Sequence, residues 1–325
     1  MKKVYIYPTY TPSRDKSGNL YIKYFHDAFQ NNSKFQLINR LWKIGITSIL
    51  FNLDAEIFII QWVDLIPAKR FGKVQFVIFL VNIWLLHKIK KRIIWVLHNK
   101  QAHRGKSKIV DLGMEFMAEY ADSVVVHSSD GITFFDTRYP QYKGKCSYIP
   151  HPVYSQTIYP SKGEKYDYVI WGSISAHKNV LNFIKKFNEE YFFHDKYLLI
   201  CGRCVNKKLS REIEEEALHN HRIRFINSFI SDDLLRKLIS QAKIILFTYS
   251  PESVLSSGAL VYSLNFCKPI IGPKIGNFAD MEGIVSCYNS FSDIPYIDIC
   301  FDRNKVVEYL KNNSWNKFPD KIIEE

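Results

Sequence analysis

Short apolar segments rich in β-branched residues alternate with longer amphipathic segments along the whole chain. In the first half, six segments have the length and composition of buried strands: residues 3–7, 34–38, 55–61, 92–97, 123–127 and 146–149. Helical patterns fill the intervals, at residues 19–30, 40–52, 72–91, 107–120 and 130–138. This alternation is typical of βαβ units, whose parallel sheets are covered by helices on both faces.

The alternation pauses at residues 151–165, where two prolines, two serines and a glycine predict a linker. A second series then begins, with strands predicted at residues 168–171, 197–201, 223–226, 244–248, 269–271 and 284–288. Its helices are predicted at residues 180–190, 210–219, 232–241, 256–266 and 303–312.

We therefore predict an α/β protein of two Rossmann-like, doubly wound parallel-sheet domains that face a central cleft. The first domain is expected at residues 1–155 and the second at 166–325, and the last helix is a candidate for packing back on the first domain. Ligands of such sheets bind beyond the carboxyl ends of the strands. The turns that follow the strands are thus where binding residues are expected.

The composition adds a basic excess to this picture. Among 325 residues, 44 Lys and Arg exceed 32 Asp and Glu, a net charge of +12 that predicts an anionic partner: nucleotide phosphates, acidic lipids or nucleic acid. The basic residues are spread along the chain, which argues against nucleic acid. The longest apolar run, residues 74–86, is too short to span a membrane. With no leader pattern and no cysteine before residue 146, we expect a cytoplasmic protein with reduced thiols.

One candidate phosphate site lies at the start of a predicted helix. Ser256, Ser257 and Gly258 open the apolar helix that follows the strand at 244–248. Hydroxyls and free backbone N–H groups at a helix N-terminus suit a phosphate. The alternative is that Ser256 only caps its helix.

Two other strand ends of the second half carry basic side chains. The turn at residues 172–179 (GSISAHKN) follows one strand and includes Ser173 and Lys178, while Arg203 ends the next strand. The lysine suits phosphate oxygens and the planar guanidinium suits a diphosphate; otherwise Lys178 is a solvated lysine in a first helical turn. Because these turns share one edge of a sheet, we expect them to converge on one site.

In the first half, His98 comes at the end of a predicted strand. There it could hydrogen bond a sugar hydroxyl or transfer a proton, although a satisfied core histidine is the alternative. His103 follows in the loop, and Gly18 and Asn19 precede the first helix, where the backbone either approaches a ligand closely or forms an ordinary turn. The histidines lack a third ligand at metal spacing, so we expect no metal and no cofactor.

Two further features leave alternatives open. Cys201 and Cys204 have the spacing of a dithiol redox site, which we disfavour because one such pair is a weak signal. Residues 71–91 combine an apolar face with Lys88, Lys90, Lys91 and Arg92 at the end. This segment is either a buried helix of the first sheet or an edge that contacts an anionic membrane.

Together these features resemble the GT-B glycosyltransferases, and among them the large retaining, nucleotide-sugar-dependent family (family 4-like) of bacterial polysaccharide and lipopolysaccharide synthesis. The resemblance covers nearly the whole chain and rests on the two-half layout, His98 with Asn99, the turn GSISAHKN and the segment SSGALVYSLNFCKPIIGP at residues 256–273. In that segment Cys267 stands where the family has a glycine.

The resemblance implies a hexosyltransferase with a nucleotide diphosphate sugar as donor and a glycan or lipid-linked acceptor, acting with retention at the inner face of the plasma membrane. It implies that the donor binds the second domain and the acceptor the first. It also implies that His98 lies by the transferred sugar and that Lys178 holds the donor diphosphate.

The sequence departs from the family at the donor site. Ser173 stands where the family has an arginine, and Arg203 is our candidate for the missing charge. The family's two glutamates fall on Val254 and Tyr262, and Glu252 is the nearest acid that could contact the ribose. Two alternatives therefore stay open: a catalytically degenerate GT-B binding module, and a GT-B epimerase using Glu252, Asp280 or Glu282.

Overall fold

A computed structural model describes residues 1–10, 20–40, 45–100, 107–161, 163–250 and 255–324. It divides the chain into two compact units, one of Met1–Tyr154 with Asn313–Glu325 and one of Ser155–Asn312. Each unit contains one sheet of six parallel strands. The predicted α/β class with two doubly wound domains is confirmed.

Twelve strands are numbered in chain order. The first unit holds β1 (Lys2–Tyr7), β2 (Phe35–Leu37), β3 (Ile57–Gln61), β4 (Arg92–Val96), β5 (Ser123–Val126) and β6 (Cys146–Tyr148). The second holds β7 (Tyr166–Trp171), β8 (Leu198–Cys201), β9 (Ile223–Ile226), β10 (Ala242–Leu246), β11 (Ile270–Pro273) and β12 (Val285–Tyr288). Sheet order is β2-β1-β3-β4-β5-β6 in the first unit and β12-β11-β10-β7-β8-β9 in the second.

The α-helices are α1 (Leu20–Gln30), α2 (Gly72–Lys88), α3 (Lys108–Tyr120), α4 (Ser129–Arg138), α5 (Val180–Glu189), α6 (Lys207–Leu218), α7 (Asp232–Ser240), α8 (Gly258–Ser263), α9 (Gly276–Ala279), α10 (Arg303–Asn312) and α11 (Phe318–Glu324). Short 3₁₀ helices occupy Ile46–Asn52, Val63–Ala68, Pro140–Tyr142, Ala176–Lys178, Tyr191–Phe193, Leu264–Phe266, Phe291–Tyr296 and Trp315–Lys317. Among the described helices, none is long and apolar enough to cross a membrane.

The strands are apolar along their length because helices cover both faces of each sheet. All five residues of β3 are buried, and in register Ile59 lies beside Ile94 of β4. The last helix belongs to the first unit, where Trp315 and Phe318 pack into the core with Phe25. The ring centroids of Tyr21 and Trp315 are 5.0 Å apart. Residues 313–324 thus complete the core of the first unit.

Two predicted helices differ from the structure. Within the segment predicted at 40–52, the described residues form the 3₁₀ helix Ile46–Asn52, which begins after Gly45 at a φ of +81°. The helix predicted at 256–266 is the six-residue α8 with a 3₁₀ turn that ends at Cys267. Cys267 has a left-handed φ of +49°, a conformation that terminates helices and that favours glycine. A glycine at this position would adopt the same conformation without strain.

Candidate functional site

The second sheet reverses its strand order between β7 and β10. From β7 the chain proceeds outward to β8 and β9, whereas β10, β11 and β12 follow on its other side. The crevice beyond the carboxyl ends of two such strands is the usual ligand site of a doubly wound sheet. Here the turns after β7 and β10 supply Lys178 and Tyr249.

The turns after β7 and β8 are held together by a close backbone approach. A Cβ on Gly202 would lie 1.9 Å from the carbonyl oxygen of Gly172, and both glycines have positive φ, +146° and +100°. The N–H of Ile174 donates to the carbonyl of Arg203 at 2.9 Å. Only glycine fits at residue 202 without moving the turn after β7. The arrangement fixes the Arg203 backbone beside the Ser173 turn, and both of these side chains are exposed.

Lys178 projects its ammonium toward this crevice. Its Nζ lies 3.0 Å from where a Cβ on Gly172 would be and 5.1 Å from the ring centroid of Tyr249. The Thr248 hydroxyl donates to the Lys178 carbonyl at 2.6 Å, which fixes the backbone from the β10 side. Lys178 forms no ion pair with any residue that the structure describes. The crevice therefore holds a half-buried cation that no described carboxylate neutralises.

The start of α8 is connected to Lys178 through Tyr249. The Tyr249 hydroxyl and the Ser257 hydroxyl are hydrogen bonded at 3.1 Å. Ser257 rather than Ser256 caps the helix, since its Oγ accepts from the N–H of Leu260 at 3.2 Å. The Ser256 hydroxyl is buried and has no partner among the described residues, and Gly258 is half-buried beside it. Tyr249 was not identified from the sequence, because a tyrosine after a strand has no distinctive pattern.

Four predicted site residues lie outside the described residues. They are Gly18, Asn19, His103 and Glu252. The two other carboxylates considered for an epimerase are described. Glu282 is exposed on the segment that leads into β12, at the edge of the sheet opposite to the strand carboxyl ends, and Asp280 is the C-cap residue that follows α9.

In the first unit, His98 lies two residues beyond β4 and is held from three sides. Its Nε2 is 3.0 Å from Oε1 of Gln61, the last residue of β3. Its ring stacks on Trp62 at 4.2 Å and 7°, and the edge of Tyr21 contacts it at 4.9 Å. The amide oxygen can only accept, so Nε2 carries the proton and Nδ1 is left as an acceptor. Gln61 is fully buried, and its own amide nitrogen has no partner among the described residues.

Two histidines that the sequence analysis did not select lie beside His98. His127 follows β5, and His151 follows β6 by three residues. The ring centroids are 5.7 Å apart for His98 and His127 and 5.2 Å apart for His127 and His151. The available signal was that three successive strands of one parallel sheet each end in a histidine, which places the three rings at one edge.

The three histidines are neutral in the folded protein. Burial lowers the pKa of His127 to about 4 and that of His151 to about 3. Burial also holds the pKa of His98 well below its usual range, with smaller effects from His127 and His151. Nδ1–H of His127 donates to the Ile149 carbonyl at 2.7 Å, so its Nε2 accepts from the Tyr21 hydroxyl at 2.7 Å. Both nitrogens of His127 are thus engaged and cannot bind a metal.

Metal and redox chemistry gain no support from the part of the chain that the structure describes. There, no group of three or more His, Cys, Asp or Glu side chains could hold a metal ion. The thiols of the CxxC pair are buried, and burial raises the pKa of Cys201 to about 12. A reactive dithiol needs an accessible thiolate, which this environment disfavours.

Comparison with protein-family models finds no match, and comparison with curated protein sequences finds none either. Solved structures do match. Anabaena HepE in complex with UDP aligns with a TM-score of 0.66 and 11% identity over 100% of this chain and 99% of that one. The lipopolysaccharide outer core galactosyltransferase WaaB aligns with a TM-score of 0.63 and 12% identity, covering 100% and 99%. A UDP-forming α,α-trehalose-phosphate synthase from Burkholderia vietnamiensis aligns with a TM-score of 0.63 and 10% identity over 99% of this chain and 96% of that one. The chain therefore has the GT-B fold of these proteins, with two Rossmann-like domains.

Proposed function

We propose that this protein is a glycosyltransferase that moves a hexose from a nucleotide diphosphate sugar to a glycan or lipid-linked acceptor. The observation that carries the proposal is the Lys178 ammonium at the β7/β10 crevice, which no carboxylate among the described residues neutralises. A half-buried cation without a counter-charge favours an anionic ligand, and this crevice is where doubly wound sheets bind nucleotides. In support, HepE was solved with UDP and with UDP-glucose.

In this proposal the donor diphosphate binds Lys178 and Arg203, and Ser173 lies on the turn between them. The buried hydroxyl of Ser256 donates to a phosphate oxygen, which would satisfy its hydrogen-bonding capacity. Ser257 and Gly258 shape the site from the start of α8, and Glu252 contacts the ribose. Together these groups stabilise the negative charge that develops on the diphosphate as it leaves, without a metal ion.

His98 is proposed to position the transferred sugar. Its Nδ1, free to accept while Nε2 donates to Gln61, takes a hydrogen bond from a sugar hydroxyl. As the bond between C1 of the sugar and the diphosphate oxygen breaks, a bond forms from C1 to the acceptor oxygen. The acceptor's proton passes to the departing diphosphate. Gly18, Asn19 and His103 are proposed to contact the acceptor, and the reaction proceeds with retention.

We place the reaction at the cytoplasmic face of the membrane, in surface polysaccharide or lipopolysaccharide synthesis. The galactosyltransferase WaaB, of the lipopolysaccharide outer core, supports this assignment by its fold and name. Of the acids considered for an epimerase, Glu282 precedes β12, away from the strand carboxyl ends, which argues against it as a catalytic base. Nucleic acid is not proposed as a partner.

The test is nucleotide binding and turnover by matched variants. Lys178→Ala and Arg203→Ala should each weaken nucleotide-sugar binding by about 1.5–3 kcal/mol, the range for charge-assisted hydrogen bonds. The control is Lys237→Ala, an exposed lysine in the last turn of α7, which leads to the amino end of β10. Unchanged affinity in both site variants by calorimetry would place the nucleotide elsewhere.

A panel of nucleotide sugars, assayed for released nucleoside diphosphate with and without EDTA, tests the reaction itself. Donor hydrolysis that persists in EDTA is expected. Loss of turnover in EDTA with recovery on adding a divalent cation would refute the metal-free assignment. Tight donor binding with no turnover on any donor would favour the degenerate binding module.

A further inference from the structure

Helix α2 presents a row of exposed apolar side chains. Val74, Val77 and Val81 are 61%, 59% and 55% exposed, and Trp84 is 46% exposed. Intervals of three, four and three residues place them on one side of the helix. Phe71, which precedes the helix, is 69% exposed. We call these five residues the α2 stripe.

The fold does not need the stripe to be apolar. The opposite side of α2 already supplies the core with Phe76, Phe79, Ile83 and Leu86, all of them buried. A helix at the surface of a protein usually carries polar residues on its outer side. An apolar outer side, continuous over about three turns, is typical of a surface that contacts a partner.

Basic side chains flank both ends of the stripe. The Arg70 guanidinium lies 5.1 Å from the ring centroid of Phe71, and the Lys88 ammonium lies 5.9 Å from that of Trp84. Lys73 and Lys90 are exposed nearby in the sequence. Between Asp64 and Asp111 the chain has no Asp or Glu and has eleven Lys or Arg. The segment that carries the stripe is therefore basic and has no acidic residue of its own.

One residue of the basic group expected from the sequence does not take part. Arg92 is half-buried, and its Nη1 donates to the carbonyl of Ile323 at 2.7 Å. One side of α2 is buried, as expected of a helix of the first sheet at residues 71–91, and the other side carries the exposed residues on which the alternative of a membrane-contacting edge rests.

We propose that the α2 stripe binds an anionic lipid surface with the helix lying flat on it. The valines enter the boundary between headgroups and acyl chains, Phe71 and Trp84 lie at the headgroup level, and the basic residues contact lipid phosphates. A helix of 17 residues is about 26 Å long, so both basic ends reach the surface together. This inference rests on the proposed function for the location at the membrane and deepens it by naming the surface that makes the contact; it concerns neither the donor nor the transfer step.

Charge selects lipid over a second copy of this chain. If two stripes paired in antiparallel orientation, Arg70 and Lys73 of one copy would meet Lys88 and Lys90 of the other. If the two stripes paired in parallel orientation, each basic end would meet the same basic end of the other copy. Since no acidic residue lies between positions 64 and 111, either pairing brings like charges together, which is unfavourable.

The test is co-sedimentation with vesicles of phosphatidylglycerol or of phosphatidylcholine, without nucleotide, so that failure of the transferase assignment cannot affect it. Wild-type protein should bind the anionic vesicles only, and less as salt rises. The double variant Val77→Glu/Val81→Glu should lose most of this binding. Val205→Glu/Leu218→Glu makes the same charge change at residues of the second unit that are 72% and 83% exposed, and should retain it. Lys88→Ala and Lys90→Ala should each weaken binding about fivefold.

Three results would overturn the proposal. The first is equal sedimentation with both vesicle types at low salt. The second is an equal loss of binding in the two glutamate double variants, which would mean that bulk charge alone is responsible. The third is a lipid-free dimer in sedimentation velocity that Val77→Glu/Val81→Glu dissociates, with no vesicle binding, which would assign the stripe to a second copy.

Discussion

Acidification should destabilise the first unit through its buried histidines. In an unfolded chain a histidine binds a proton near pH 6.5, whereas burial lowers the pKa of His127 to about 4 and that of His151 to about 3 in the folded protein. Because the folded values lie below the unfolded value, the unfolded chain binds more protons as the pH falls. The contribution of these neutral histidines to the free energy of unfolding is fully present above about pH 6.5. It declines as the pH falls from there to the pKa values of the folded protein.

The magnitude follows from the width of that window. At about pH 5 both histidines are still neutral in the folded protein. Each therefore lowers the free energy of unfolding by about 1.4 kcal/mol per pH unit over about 1.5 pH units, or by about 2 kcal/mol. His127 and His151 together should therefore lower the free energy of unfolding by about 4 kcal/mol between neutral pH and pH 5. His98, whose pKa is also lowered, acts in the same direction. Most carboxyl groups remain ionised at about pH 5, which limits their contribution.

Urea denaturation at a series of pH values, followed by tryptophan fluorescence, measures this slope. Trp62 stacks on His98 and reports on the first unit directly. In His127→Gln the free energy of unfolding should fall less steeply with decreasing pH, by about 1.4 kcal/mol per pH unit. His221→Gln removes an exposed histidine and should leave the wild-type dependence. Equal stability at about pH 7 and pH 5 in the wild type, or the same flattening in both variants, would refute the argument.

Three further predictions test individual side chains. His98→Ala should lower turnover about a hundredfold while calorimetry gives near-normal nucleotide affinity, since a positioned polar group acts mainly in the transition state; near-normal turnover would remove His98 from the reaction. Gly202→Ala should cost more unfolding free energy than the about 1–2 kcal/mol of left-handed strain alone, because its Cβ meets the Gly172 carbonyl. Gly144→Ala, at a φ of +90° with no atom within 4 Å, is the control, and equal losses in urea would contradict the close approach. Cys267→Gly should raise the free energy of unfolding by about 1 kcal/mol, because glycine adopts the left-handed φ without strain. Cys267→Ala should not raise it, and thermal denaturation of both variants measures the difference.

Most of the fold could be predicted from local patterns. Strands buried on both faces form short apolar runs, and β9 and α10 have the predicted bounds. The order of strands could not be predicted, because pairing of β7 with both β8 and β10 depends on contacts distant in sequence. Short 3₁₀ helices such as Val63–Ala68 were missed, since their hydrogen-bond pattern leaves little periodicity to detect.

Some residues of the candidate site could likewise be predicted from the sequence, and others could not. Lys178 and Arg203 could be chosen from the sequence because each follows a strand of a βα unit. Tyr249 and Gln61 could not, since their importance comes from partners on neighbouring strands: Tyr249 lies under the Lys178 ammonium, and Gln61 accepts from His98. A residue whose role depends on a single long-range contact has no local pattern to identify it.

The return of residues 313–324 to the first unit sets the order in which the two units can be completed during synthesis. Trp315 packs on Tyr21, so the core of the first unit cannot be completed until side chains almost 300 residues further along the chain have been synthesised. The second unit is one continuous segment, Ser155–Asn312. Domains usually fold in the order of synthesis, but here the second unit should finish first. A ribosome-bound chain stalled after Asn312 has emerged should hold a protease-resistant second unit and a cleavable first one.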